Sequence, residues 1–188
     1  TLINYTHEER LGGQMAFTKD MKGSDSIYGL GGTVDRLHFF TKNGAPLGNT
    51  SSFGTQLSAT YFKQDAYYGL TNYEGVEIDV YANALINTMV RGGHNVDFGA
   101  SFRYTDVKED LYSTPYKDAT LFHSLSQNEE NLVNFMKEEI VPGVFGQFNF
   151  IYDKIFVATA GVRYDYNTAY AKHIITPRFH FRWKITDD

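Results

Sequence analysis

The chain has no cysteine, only 4 proline residues and a single tryptophan among 188 residues, and it has no long apolar run. Without cysteine there is no disulfide framework, no thiolate metal site and no thiol nucleophile, although such a chain fits an oxidising or a reducing compartment equally. No run approaches the roughly 18 apolar residues of a membrane-spanning helix, and the mean hydropathy is −0.37. This leaves open a membrane-spanning strand, whose signal is only alternation over about ten residues. Positive charge is also scarce: 17 Lys plus Arg stand against 22 Asp plus Glu, a net −5. No basic surface is left to track a phosphate backbone, which argues against nucleic acid as a partner. The first residue is Thr1 and no basic segment leads into an apolar one, so any signal peptide is expected to lie outside this sequence. What the chain does have is aromatic side chains, 14 Tyr and 15 Phe, in a length that suits one ordinary domain.

Period-two alternation dominates the pattern. Phe179, Phe181, Trp183 and Ile185 interleave with Arg178, His180, Arg182 and Lys184, and Phe156, Ala158, Ala160, Val162 and Tyr164 with Thr159, Gly161, Arg163 and Asp165. Upstream, Val96, Phe98, Ala100, Phe102 and Tyr104 alternate with Asp97, Gly99, Ser101, Arg103 and Thr105. Val76 to Ile86 alternates with Glu77, Asp79, Tyr81 and Asn83, and Phe53 to Tyr61 with Gln56, Ser58 and Thr60. Weaker candidates are Val144 to Phe150, Val34 to Thr41 and Leu2 to Arg10. The total is about eight strands of about ten residues each.

Short and long connections take turns along the chain. Arg91-Gly92-Gly93 and Asp153-Lys154 are turn-like, and Lys42 to Ser51 reads as a somewhat longer hairpin. Leu11 to Gly32, Tyr68 to Gly75, Asp106 to Glu139 and Thr168 to Thr176 read as loops, two of them long. Within the longest, Leu132, Met136 and Ile140 fall at helical spacing among acidic and basic residues, which suggests a short amphipathic helix.

Alternation by itself fits a soluble sandwich as well as a membrane barrel, because the two differ only in which solvent the apolar face meets. Three details favour the membrane. Small residues (Ala59, Ala82, Ala84, Ala100, Ala158, Ala160) sit mid-face with rings towards the strand ends, resembling aromatic girdles. The polar faces bring opposite charges together: Arg103 and Asp97 near Glu77 and Asp79, and Arg163 and Asp165 near Arg178 and Arg182. The strands are longer than those of globular sheets and suit a tilted crossing of the bilayer. The fold class is therefore all-β, an antiparallel up-and-down transmembrane β-barrel meander with long extracellular loops.

The runs Val141-Pro142-Gly143-Val144-Phe145-Gly146-Gln147-Phe148, Ala160-Gly161-Val162-Arg163-Tyr164-Asp165-Tyr166-Asn167 and Thr176-Pro177-Arg178-Phe179-His180 resemble successive barrel strands of TonB-dependent outer-membrane receptors of the Bacteroidetes type. Gly69-Leu70-Thr71-Asn72-Tyr73-Glu74-Gly75 and the segment from Arg36 to Ser52-Phe53-Gly54 are similar to the same group. The resemblance implies a bacterial outer-membrane location and energy-coupled uptake of a scarce nutrient, such as a siderophore-type metal chelate or a vitamin. It also implies a plug inside a larger barrel of about 22 strands. No plug-like or TonB-box-like segment is found, so residues 1–188 read as part of the barrel domain. Its implied partners are the lipid bilayer, the TonB complex through the plug, a surface lipoprotein and a small-molecule ligand. The alternative reading is a self-contained eight-stranded barrel for adhesion or binding.

No enzyme is expected. Gly29-Leu30-Gly31-Gly32 lacks the third glycine and the strand-helix setting of a dinucleotide loop and reads as a flexible loop. The six histidines show no metal-ligand spacing, no cofactor is implied, and no serine sits in a nucleophile elbow. The candidate ligand-contacting residues are the lumen-facing Glu77, Asp79, Arg103, Arg163, Asp165, Arg178 and His180. His123 and His173 join them from loops expected on the extracellular side.

Overall fold

A computed structural model describes residues 1–24, 26–113, 131–152 and 155–184. The strands are β1 (Leu2–Gly13), β2 (Gly29–Leu47), β3 (Ser51–Tyr68), β4 (Thr71–Val90), β5 (His94–Ser113), β6 (Asn131–Tyr152), β7 (Phe156–Asn167) and β8 (Lys172–Trp183), with one 3-10 turn at Lys19–Met21. They form a single 8-stranded sheet in sequence order, and every neighbouring pair is antiparallel. Among the described residues β1 pairs only with β2 and β8 only with β7. The sheet is therefore open, which corrects the alternative reading of a small barrel closed on itself.

Among the described residues no second layer of strands or helices covers either face of this sheet, and only the β1–β2 connection lies against it, at Gly29 and Tyr67. The only buried apolar residues described are Ala66 and Tyr67, whereas Val144 is 55% exposed, Trp183 65% and Phe179 73%. A soluble sandwich would hide that face in a second layer, and water would not tolerate so continuous an apolar surface. Hydrocarbon does. The cross-strand register carries a single apolar face through the sheet. One row runs Ile86, Phe98, Gly146, Val162 and Pro177, and another Ala84, Ala100, Val144, Tyr164 and Ile175. Rings are not confined to the strand ends: Ala160 lies between Phe148 and Phe179, and Ala158 between Phe150 and Phe181. Small residues on β7 thus make room for large ones on both neighbours.

The central strands are much longer than the alternating apolar segments suggest. β2 to β6 span 18 to 22 residues, because pairing continues past the last lipid-facing tyrosine into charged residues. Lys63, Asp65, Glu74, Asp106, Lys108 and Asp110 keep the outward parity on this projecting part. Several expected loops shrink accordingly. Lys42 to Ser51 is strand up to Leu47, with a turn at 48–50 entered by Gly48 at φ 73. Tyr68 to Gly75 is a tight turn at 69–70 that needs Gly69 at φ 61, and Thr168 to Thr176 is a turn at 168–171. Of Asp106 to Glu139, only 114–130 lies between strands.

The expected helix around Met136 is strand β6 instead. Leu132, Met136 and Ile140 are spaced by four, an interval that keeps a helix face and a strand face alike. The hydrogen-bonded register with β5, Met136 opposite Lys108 and Asn134 opposite Asp110, decides for the strand. Gly29-Leu30-Gly31-Gly32 is likewise not a loop but the start of β2. Its glycines make space: a Cβ at Gly29 would lie 1.9 Å from the Phe17 ring, and one at Gly31 2.7 Å from the Tyr67 hydroxyl.

All three connections at one end of the sheet are short, while 14–28 and 114–130 lie at the other. Short turns are periplasmic and longer loops extracellular in outer-membrane barrels, so the projecting ends of β2 to β6 stand on the outer side. Replacing the outward Ala100 by Arg is expected to cost about 2–4 kcal/mol in lipid vesicles, whereas arginine for the inward Gln56 leaves stability nearly unchanged. Denaturant titration of both variants checks the assignment of the two faces.

Candidate functional site on the polar inner face

The face opposite the lipid gathers the charges. Asp79 on β4 accepts from Arg103 Nε at 2.8 Å and from Thr105 Oγ1 at 2.9 Å. Arg103 sits opposite Tyr81 in register and reaches diagonally to the carboxylate. Glu77 shares the inner face, but its register neighbours are Phe62 and Val107, and the arginine goes to Asp79.

Arg163 and Asp165 pair along one strand. The guanidinium donates through Nε to Asp165 Oδ2 at 2.7 Å and through Nη2 to Oδ1 at 2.7 Å, and Nη2 also reaches Ser101 Oγ at 2.7 Å. That last bond crosses β6 at Gly143, which lies between Asp165 and Ser101 in register. A Cβ at Gly143 would come within 2.1 Å of Asp165 Oδ1 and 3.0 Å of both Arg163 Nη2 and Ser101 Oγ. Glycine here is a requirement of the cluster. Ser101 and Asp165 are 7% and 8% exposed, and the planar bidentate pairing is the geometry that favours arginine over lysine.

Between the two ion pairs lies an open cavity of about 470 Å³, lined by Asp79, Arg103, Arg163 and Asp165 together with Glu139 and Asn167. Glu139 pairs with Lys137 and accepts from Asn167 Nδ2 at 2.8 Å. Ser101, Glu139 and Asn167 were not singled out in the sequence. Reading β6 as a strand would have found Glu139, since its parity places it opposite Thr105 on the inner face.

Nearer the periplasmic turns, Asp97 is held without a cation. It accepts from Asn87 Nδ2, from Gln147 Nε2 at 2.7 Å and from Asn149 Nδ2 at 2.9 Å, while Thr159 Oγ1 donates to Asn149 Oδ1 at 2.8 Å. Four strands are thereby tied by side chains. Asp97 was expected in a charge network with Arg103; its partners are amides.

The expected pairing of Arg178 and Arg182 with Asp165 is not formed. Asp165 stands opposite Ile174, whereas Arg178, His180 and Arg182 face Gly161, Thr159 and Val157. They make a basic inner stripe along the open edge. His173 lies in β8 rather than in a loop, on the outward parity opposite Tyr166, with Tyr164 Oη 2.7 Å from its Nδ1 and both tyrosine rings against it. His123 lies outside the described residues. On the projecting part, the Tyr73 hydroxyl donates to Glu109 at 2.8 Å, and burial together with this carboxylate pushes the phenol up to about 12.

An antiparallel meander with a lipid-facing apolar side and a polar, ion-paired inner side defines a sector of an outer-membrane β-barrel. The family model for the TonB dependent receptor-like β-barrel matches residues 3–188, and the chain belongs to that family. It is a receptor and transport family of the bacterial outer membrane, associated with the TonB system and not with catalysis. Among solved structures, the outer membrane transporter YddB from Escherichia coli shares the fold with a TM-score of 0.66 at 16% identity; the match covers 97% of this chain and 27% of YddB. The chain thus spans about a quarter of that transporter. No curated protein matches.

Replacing Asp97 by Ala leaves three amide donors without their acceptor, at an expected cost of about 1–3 kcal/mol, and Asp97→Asn, which keeps one carbonyl, costs less. Urea unfolding in detergent micelles measures both.

Proposed function

We propose that this chain forms one sector of a plugged TonB-dependent barrel that takes up a scarce nutrient, a metal chelate or a vitamin, across the outer membrane. The observation that carries the reading is the inner face itself. Ion pairs and amides are fixed on a wall that faces away from lipid, where they are of use to a polar solute passing the lumen. Support for a larger ring comes from the open edges. Unpaired strand edges are untenable in hydrocarbon, so β1 and β8 call for further strands beside them. The basic stripe Arg178, His180 and Arg182 suits an acidic surface inside the completed barrel, whether a plug or a solute. In this reading movement is gated and no covalent step occurs. Energy would arrive through the plug and the TonB complex, and a surface lipoprotein is a further candidate partner.

Uptake by cells expressing the protein, measured with ferric citrate and cobalamin as probes, tests the proposal. At least one probe is expected to accumulate, to stop accumulating when the proton-motive force is collapsed, and to enter at least threefold more slowly in the double variant Arg103→Gln, Arg163→Gln. Uptake of neither probe, or uptake indifferent to the proton-motive force, overturns it.

A further inference from the structure

The connection between β1 and β2 folds back against the outward side of the projecting strands. Phe17 lays its ring on Gly29 and stands 6.4 Å from the ring of Tyr67. The Lys22 ammonium lies 4.8 Å from the centre of the same ring, and Lys19 donates to Glu9 at 2.5 Å. Between loop and strands is a cavity of about 190 Å³, lined among others by Glu9, Asp65, Glu74, Lys19, Lys22 and Tyr67. The three carboxylates belong to strands β1, β3 and β4 and share one outward row of the register through Thr33. Tyr67 is 7% exposed, and its hydroxyl is buried with no hydrogen-bond partner among the described residues. Such an unpartnered donor is costly to maintain and asks for an explanation.

We propose that this cavity is a binding site for a single sugar residue, set on the outer wall of the sheet and separate from the lumen. A sugar ring both donates and accepts hydrogen bonds around its whole edge. It therefore needs acceptors and donors interleaved within the breadth of one ring, and the carboxylates and ammoniums supply them. Three carboxylates oppose a bare anion, and two ammoniums oppose a bare cation. Tyr67 lines the cavity, and its buried hydroxyl, packed over Gly31, is the donor that the described residues leave without a partner. The outward parity, above the last lipid-facing tyrosines, places the site beside the head groups of the outer leaflet. The ligand is thus a free sugar or the sugar of a membrane glycolipid.

Titration of the protein in detergent micelles with glucose, glucosamine and galacturonic acid tests the site, alongside binding to phosphatidylcholine liposomes with and without lipopolysaccharide. Wild type is expected to bind at least one sugar or to be retained by the lipopolysaccharide liposomes. The two arms tell a free sugar from a head group. Tyr67→Phe is expected to weaken that binding about tenfold while leaving the unfolding temperature unchanged or raised, since it removes an unpaired hydroxyl. Asp65→Asn also weakens it. Absence of binding in every arm, or binding equal in wild type, Tyr67→Phe and Asp65→Asn, overturns the proposal. Tyr67 has no place in the lumen, so this result and the uptake result fail independently.

Discussion

A backbone that lies in hydrocarbon has no water to complete its hydrogen bonds, so every amide and carbonyl must be satisfied by the strand beside it. The rest of this structure follows from that requirement. It forces an antiparallel ladder with neighbours in sequence order, and it fixes the side chains alternately on two faces. Because one face meets lipid, the residues there are apolar without being buried by protein. The result is a sheet whose only described buried apolar residues, Ala66 and Tyr67, lie on its projecting part. Stability in such a sheet rests on the ladder, on interdigitation of rings with alanines across strands, and on the polar face.

The polar face meets its own constraint. Charges there sit in a medium of lower effective dielectric than water, where an unpaired carboxylate or guanidinium is expensive and a well-formed pair is strong. Three different solutions are seen within a few strands. Asp79 uses an arginine and a threonine, Asp165 a bidentate arginine that also holds Ser101, and Asp97 an all-amide cradle. The first two leave cationic groups open to a cavity, and the third ties β4, β5, β6 and, through Thr159, β7. Lining of the cavity and bracing of the sheet are thus carried by different carboxylates of the same face.

The strands, their order and their two faces were legible because alternation is a local signal. Pairing partners were not, since they depend on a register that no single strand reveals. Arg178 looked close enough to meet Asp165, yet the β7–β8 register sets it against Gly161. Glu139 went unnoticed because Leu132, Met136 and Ile140 satisfy two periodicities at once. Strand length was underestimated where the outward face turns from apolar to charged, at Lys63 and Asp65 or Asp106 and Lys108. Alternation of hydropathy ends there, but hydrogen bonding does not. The role of Gly29 and Gly31 could not be read at all without the rings of Phe17 and Tyr67 above them.

The sequential strand order bears on how the molecule assembles. Each strand pairs only with the one before and the one after, so every ladder is a hairpin between chain neighbours, although the long strands set partners as far apart as Asn95 and Asn149 side by side. Lengthening a connection from a tight turn to something like 14–28 adds little loop-closure entropy, about 0.6 kcal/mol per doubling. The meander can therefore grow one hairpin at a time, each new strand templated by an existing edge. In this order each of β2 to β7 is first an edge and then an interior strand once its successor pairs beside it.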